Sequence, residues 1–141
     1  SILDGCLLSR AKLRPFRHNR MDKLERALER ATGDGGGVLV VVDGVFSMEG
    51  DLARLPEIVE LARTHDAVAL VDDSHGVGVL GESGRGTVEH FGLLGEVDVI
   101  TGTLGKALGG AAGGYVAASD EVCDLLQQRS RGCDPAIAGI A

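Results

Sequence analysis

Aromatic residues are scarce: 141 residues hold no Trp, one Tyr and three Phe, too few for the stacking platforms that single-stranded nucleic acid or RNA requires. A basic excess is missing too. Lys and Arg total 14 against 21 Asp and Glu, a formal net charge of −7 at pH 7, so no nucleic-acid partner is expected. Cysteine is limited to Cys6, Cys123 and Cys133. An odd number without a CxxC pair indicates neither a disulfide framework nor a structural zinc site, and a reducing, cytoplasmic setting is expected. No apolar run reaches the roughly 18 residues of a membrane span and no secretory signal opens the chain, so no membrane partner is expected either. The first residue is Ser1 rather than Met, and the chain is expected to be a segment of a longer protein.

Glycine, by contrast, is abundant. There are 22, about twice ordinary usage, with only three prolines and no G-X-Y repeat, which describes a chain with many close backbone approaches and not a collagen. Hydrophobic residues at 44% and charged residues at 25% are ordinary globular proportions, sufficient for a core.

Apolar periodicity after Asn19, at Met21, Leu24, Ala27 and Leu28, predicts an amphipathic helix over 20–32 with Asn19 as its N-cap. The run 38–42 (VLVVV) predicts a strand buried on both faces, as does 67–71 (AVALV). Between them Leu55-Pro56 opens a second helix, with Pro in the first turn where its missing N–H costs nothing. Strands are further predicted over 97–101 and 113–118, and a last helix runs from an N-cap at Ser119 to Gln128. Buried strands alternating with helices make an α/β protein with a mainly parallel sheet flanked by helices, whose ligands sit at the carboxyl ends of the strands.

Polar residues crowd those ends at 43–47, 72–75 and 101–106. Of three lysines, Lys12, Lys23 and Lys106, only Lys106 lies in apolar, glycine-rich surroundings, where desolvation would fit it to form a Schiff base with a carbonyl. A P-loop is excluded, because Ile100 and Ala107 stand where Gly and Ser/Thr would be required. Asp72 and Asp73 follow a buried strand, so one of them could face a cationic ring nitrogen as in pyridoxal phosphate (PLP) enzymes. Either could instead cap the next turn, or join His75 at a metal. His18, His65 and His90 are expected to be solvated. The run 76–81 (GVGVLG) matches GxGxxG, but Asp-Asp-Ser-His separates it from the strand, more loop follows, and no acid stands about 20 residues on, so an NAD site is rejected.

Together 43–51 (DGVFSMEGD), 71–78 (VDDSHGVG) and 101–110 (TGTLGKALGG) resemble the α-oxoamine synthases, PLP-dependent acyltransferases of the aspartate aminotransferase-like fold. With 109–115 and 128–131 added, the chain is most like the glycine C-acetyltransferase (2-amino-3-ketobutyrate CoA ligase) branch. The resemblance implies that residues 1–131 are the central part of a PLP-binding large domain and that 132–141 are a divergent tail. It implies that Lys106 carries the cofactor and then acts as base, that Asp72 pairs with the ring nitrogen, that His75 and Ser47 bond the ring's phenolic oxygen and that Thr103 contacts the phosphate. The implied substrates are glycine and acetyl-CoA, joined to 2-amino-3-oxobutyrate or released from it in threonine degradation, by a homodimer. The alternatives are 8-amino-7-oxononanoate synthase or another sibling, and an inactive remnant. The surplus glycines are expected around Ser47, His75 and Lys106, where backbone would approach a flat cofactor.

Overall fold

The computed structural model describes residues 2–109 and 112–130; the expected tail 132–141 lies outside them. Helix α1 (Ile2–Leu8), which no sequence signal predicts, buries none of its residues. Helix α2 (Met21–Thr32) buries Leu24 and Leu28. Its N-cap is Arg20 and not Asn19. Asn19 is in the left-handed region at φ 49°, and its side chain is used elsewhere: the amide donates to Leu52 O at 3.0 Å and accepts from Arg54 N at 3.3 Å. A tertiary demand, tying this segment to the residues before α3, overrides the capping preference.

Strand β1 (Val38–Asp43) leads into a short antiparallel pair, β2 (Val45–Phe46) and β3 (Asp51–Leu52). Helix α3 (Leu55–Thr64) follows with Pro56 in its first turn, then β4 (Ala67–Asp72), the short α4 (Thr87–His90), β5 (Val99–Thr103), β6 (Gly114–Ala118) and α5 (Asp120–Arg129). The main sheet has the order β1-β4-β5-β6. Its first three strands are parallel and β6 is antiparallel to β5, so the α/β, mainly parallel expectation holds. Ser119 is the N-cap of α5, as predicted.

Strand β5 begins two residues later than predicted. Asp98 stays outside it, and its carboxylate accepts the Ala69 N–H at 2.7 Å, satisfying a donor of β4. A displacement by two residues preserves the side-chain alternation, so the same set faces the core.

The expectation of strands buried on both faces is met on one. Val40, Val42, Ala69 and Val71 are buried with Leu24 and Leu28 of α2 and with Leu55, Ile58 and Ala62 of α3 in a single core. Leu39 and Val68, on the opposite face, remain 54% and 44% exposed. Both α2 and α3 pack on the first side, and the apolar run alone cannot say which helices cover which face.

His18, expected to be solvated, touches Asp51 Oδ2 through Nε2 at 2.7 Å and sits edge-on to Phe46 with ring centroids 4.3 Å apart. Gly102 permits another close approach: a Cβ there would fall 2.5 Å from the Tyr115 ring on β6. Among the described residues no helix is long and apolar enough to cross a membrane.

Candidate active site

Three strand ends build one edge. Asp43 pairs in register with Asp72, and Asp72 with Thr101, so the three form a row at the carboxyl end of the parallel strands, where ligands bind in such sheets. Asp72 is half-buried. Its Oδ1 accepts the Ser74 N–H at 3.0 Å, which shapes the turn that carries His75.

Beyond that turn, Lys106 Nζ and His75 Nε2 are 2.9 Å apart. An ammonium at Lys106 donates to unprotonated Nε2, and an imidazolium at His75 donates to the free amine, so one proton can be shared across the contact. Both residues are exposed. What distinguishes Lys106 is therefore this contact, not the desolvation inferred from its neighbours. The loop around it is shaped by Thr103, whose hydroxyl donates to Gly113 O at 3.1 Å and accepts Gly105 N–H at 3.4 Å.

The two aspartates differ in burial and in what they bind. Asp73, not Asp72, is the fully buried one, and it accepts the Thr87 N–H at 2.7 Å and the Thr87 hydroxyl at 2.8 Å. Burial pushes its carboxyl pKa upward, against the pull of the Thr87 bonds. Asp43, one member of the polar run 43–47, is the acid that sequence reasoning missed. Its pKa is raised by burial and then by the charge of Asp72, while His75 and Lys106 act the other way. An acid closing the apolar run 38–42, as Asp72 closes 67–71, was the available signal.

Ser47 is less integrated. It lies in the turn between β2 and β3, and among the described residues no hydrogen bond joins it to Asp72, His75 or Lys106. Three of the glycines serve a purpose different from the one expected. A Cβ on Gly44, Gly76 or Gly86 would lie within 2.8, 2.1 or 2.0 Å of an Asp73 carboxylate oxygen, so these three accommodate a protein side chain. Among the described residues no group of three or more His, Cys, Asp or Glu could hold a metal ion.

The GxGxxG run is a loop, and no helix opens until Thr87. Glu89 closes that loop by accepting from the Ser83 hydroxyl and N–H and from Arg85 N–H at 2.9 Å. The Ser83 bond, followed by the Arg85 N–H, holds the Glu89 carboxyl below its ordinary value. A depressed carboxylate contributes stability above its unfolded pKa and loses it as pH falls through the folded value. Amide exchange at Ser83 and Arg85, taken relative to the intrinsic rate at each pH, is thus expected to stay slow at neutral pH and to lose that protection as Glu89 is protonated in acid. In Glu89→Gln it is expected to be fast already at pH 7.

The donor set at the edge fits PLP in its chemistry: an exposed primary amine for the carbonyl, a half-buried carboxylate for a cationic ring nitrogen and an imidazole beside the amine. Comparison with known proteins points the same way. Residues 1–134 match the family model "Aminotransferase class I and II". An 8-amino-7-oxononanoate synthase of Geobacter sulfurreducens is 57% identical over 131 residues, covering 93% of this chain and 33% of that protein. A 2-amino-3-ketobutyrate coenzyme A ligase of Escherichia coli K12 is 52% identical over 132 residues, again 93% and 33%. Among solved structures, Sphingomonas wittichii serine palmitoyltransferase superposes with a TM-score of 0.85 at 40% identity, covering 92% of this chain and 32% of that one. Serine palmitoyltransferase structures in the same set hold PLP. The chain spans about a third of the length of these relatives. With three ordered motifs, the sheet and its edge in agreement, the chain belongs to the class I and II aminotransferase family, in its PLP-dependent α-oxoamine synthase group.

Proposed function

We propose that this chain is the cofactor-carrying part of an enzyme that joins the α-carbon of an amino acid to the acyl group of an acyl-CoA, releasing CoA. The observation that carries the reading is the contact of Lys106 Nζ with His75 Nε2 beside the Asp43, Asp72 and Thr101 row. PLP, when bound, supplies a carbonyl for amines and a protonated ring that draws electron density from the amino acid's α-carbon. Lys106 would hold it covalently and, once displaced by the substrate amine, take the α-proton on Nζ. His75 Nε2, at hydrogen-bond distance, orients that amine and can take up or return its proton. Asp72 would keep the ring nitrogen protonated, and its tie to Ser74 N–H fixes the carboxylate's direction. Thr103 orders the backbone that presents Lys106, and its hydroxyl would contact the cofactor phosphate by exchanging its bond to Gly113 O. Ser47 would reach the phenolic oxygen from the β2–β3 turn.

Two substrate pairs suit this chemistry. Alanine with pimeloyl-CoA, the pair of 8-amino-7-oxononanoate synthesis, is favoured by the 57% identity to such a synthase. Glycine with acetyl-CoA, the pair implied by the sequence motifs, is supported by the 52% identity to a 2-amino-3-ketobutyrate coenzyme A ligase. A full-length protein containing this chain, assayed for CoA release with each pair, is expected to turn over alanine with pimeloyl-CoA faster. The opposite ratio returns the assignment to glycine and acetyl-CoA, and release with neither pair removes both. A homodimer belongs to the same proposal, and light scattering at twice the chain mass tests it.

A further inference from the structure

The roles proposed for Lys106, His75 and Asp72 leave unused Asp73, which with Thr87 is one of two fully buried polar residues in the described chain. Asp73 is 0% exposed, one residue beyond Asp72 and two before His75. Its main chain is fully engaged: N–H donates to Thr101 O at 2.7 Å, and O accepts from Gly76 N at 3.0 Å and Val77 N at 2.9 Å. Those last two bonds close the turn that contains His75. Its carboxylate binds the first residue of α4 twice, through Thr87 N at 2.7 Å and the Thr87 hydroxyl at 2.8 Å.

Around this carboxylate the backbone is packed too tightly for any side chain. A Cβ on Gly76 would stand 2.1 Å from Oδ1 and one on Gly86 would stand 2.0 Å from Oδ2, while one on Gly44 would meet the Thr87 hydroxyl at 2.3 Å. Gly44 follows Asp43, and Gly76 follows His75. One carboxylate is therefore packed against the end of β1 and the His75 turn and hydrogen-bonded to the start of α4. The same turn carries Gly78, at φ 78°, where a Cβ would touch Leu108 at 3.1 Å and Ala107 at 3.3 Å. The two residues after Lys106 thus rest on the turn that Asp73 holds.

We propose that Asp73 is a positioning residue, whose doubly bonded carboxylate, seated among Gly44, Gly76 and Gly86, fixes the His75 turn so that the imidazole meets the Lys106 amine. This rests on the reading of His75 and Lys106 as a working pair, but concerns only how the pair is held. The carboxylate does not reach the reacting atoms. It acts through backbone that cannot shift without displacing buried oxygen atoms.

The test reads the contact itself and needs neither cofactor nor turnover. With 15N-labelled histidine in the full-length protein stripped of PLP, the His75 ring signal is assigned by its loss in His75→Gln and recorded at fixed pH with and without Lys106→Met. In the parent protein, removing the Lys106 amine is expected to shift the His75 Nε2 signal, because the two atoms are 2.9 Å apart. In Thr87→Val, which keeps the buried volume and deletes the hydroxyl, and in Gly76→Ala, which drives a methyl onto Oδ1, that shift is expected to disappear. Thr87→Ser, which retains the hydroxyl, is expected to preserve it. If Gly76→Ala does not fold, Thr87→Val gives the same reading. A lower melting temperature in Thr87→Val with the shift intact would mean that Asp73 serves stability alone, and would overturn the proposal. No shift in the parent protein would overturn the working pair itself, a separate outcome from failure of the positioning role.

Discussion

Lys106→Ala in the full-length protein is expected to abolish the borohydride-reducible PLP adduct and the visible absorbance that accompanies it, and to reduce turnover below detection. The expectation combines two losses. An amine that proximity turns into an intramolecular nucleophile is removed, and so is the base that takes the α-proton, a role worth about 10²–10⁴-fold alone. Of the other lysines, Lys12 is ion-paired with Asp34 at 2.7 Å and Lys23 lies 3.5 Å from Asp22; neither contacts His75. Lys106→Arg is expected to rescue nothing, because a guanidinium is not deprotonated in proteins. His75→Gln removes only the partner of the amine, so the adduct is expected to persist while turnover falls by about 10²-fold or more. A reducible adduct at full stoichiometry in Lys106→Ala would place the covalent role elsewhere.

Leu55→Ala is expected to destabilise the fold by about 2–5 kcal/mol, the range for truncating a buried Leu that leaves a cavity. Leu55 is 0% exposed at the start of α3 and lies in the core cluster with Ala53, Ile58 and Val71. Against the roughly 5–15 kcal/mol that holds a domain together, this is a large fraction, and the urea midpoint should fall with an unchanged slope. Leu39→Ala provides the control. The two leucines carry the same side chain, but Leu39 is 54% exposed in this chain, so in the chain by itself its loss is expected to cost well under half as much. Equal costs would show that the second face is also covered in solution.

Much of the architecture was legible because it depends on near neighbours. The runs 38–42 and 67–71 are apolar and rich in valine, and each is closed by an aspartate at a strand end. Pro56 marks the first turn of α3. Where two demands fell on one residue, the local signal misled: Asn19 has the composition of a cap, yet its amide bonds Leu52 and Arg54, more than 30 positions away. Asp98 looks like part of a strand and instead binds an N–H of β4. The site was legible in kind, since an amine, a carboxylate and an imidazole stood at strand ends. Its geometry was not, because Lys106 and His75 are 31 positions apart in sequence and no periodicity reports a contact across two loops.

By itself the sequence determined the alternation of strands and helices and the edge on which polar residues gather, because hydrophobic period and turn residues are properties of short stretches, and the resemblance of three ordered motifs pointed to the family. Only the tertiary structure decided which of two adjacent aspartates is buried. Asp72 and Asp73 are the same residue type in the same local context, and the chain's path at the end of β4 leaves one in the edge row and binds the other to Thr87. The glycines follow from that choice: three of them are needed where backbone closes around a carboxylate, a requirement that exists only once β1, the His75 turn and α4 have come together.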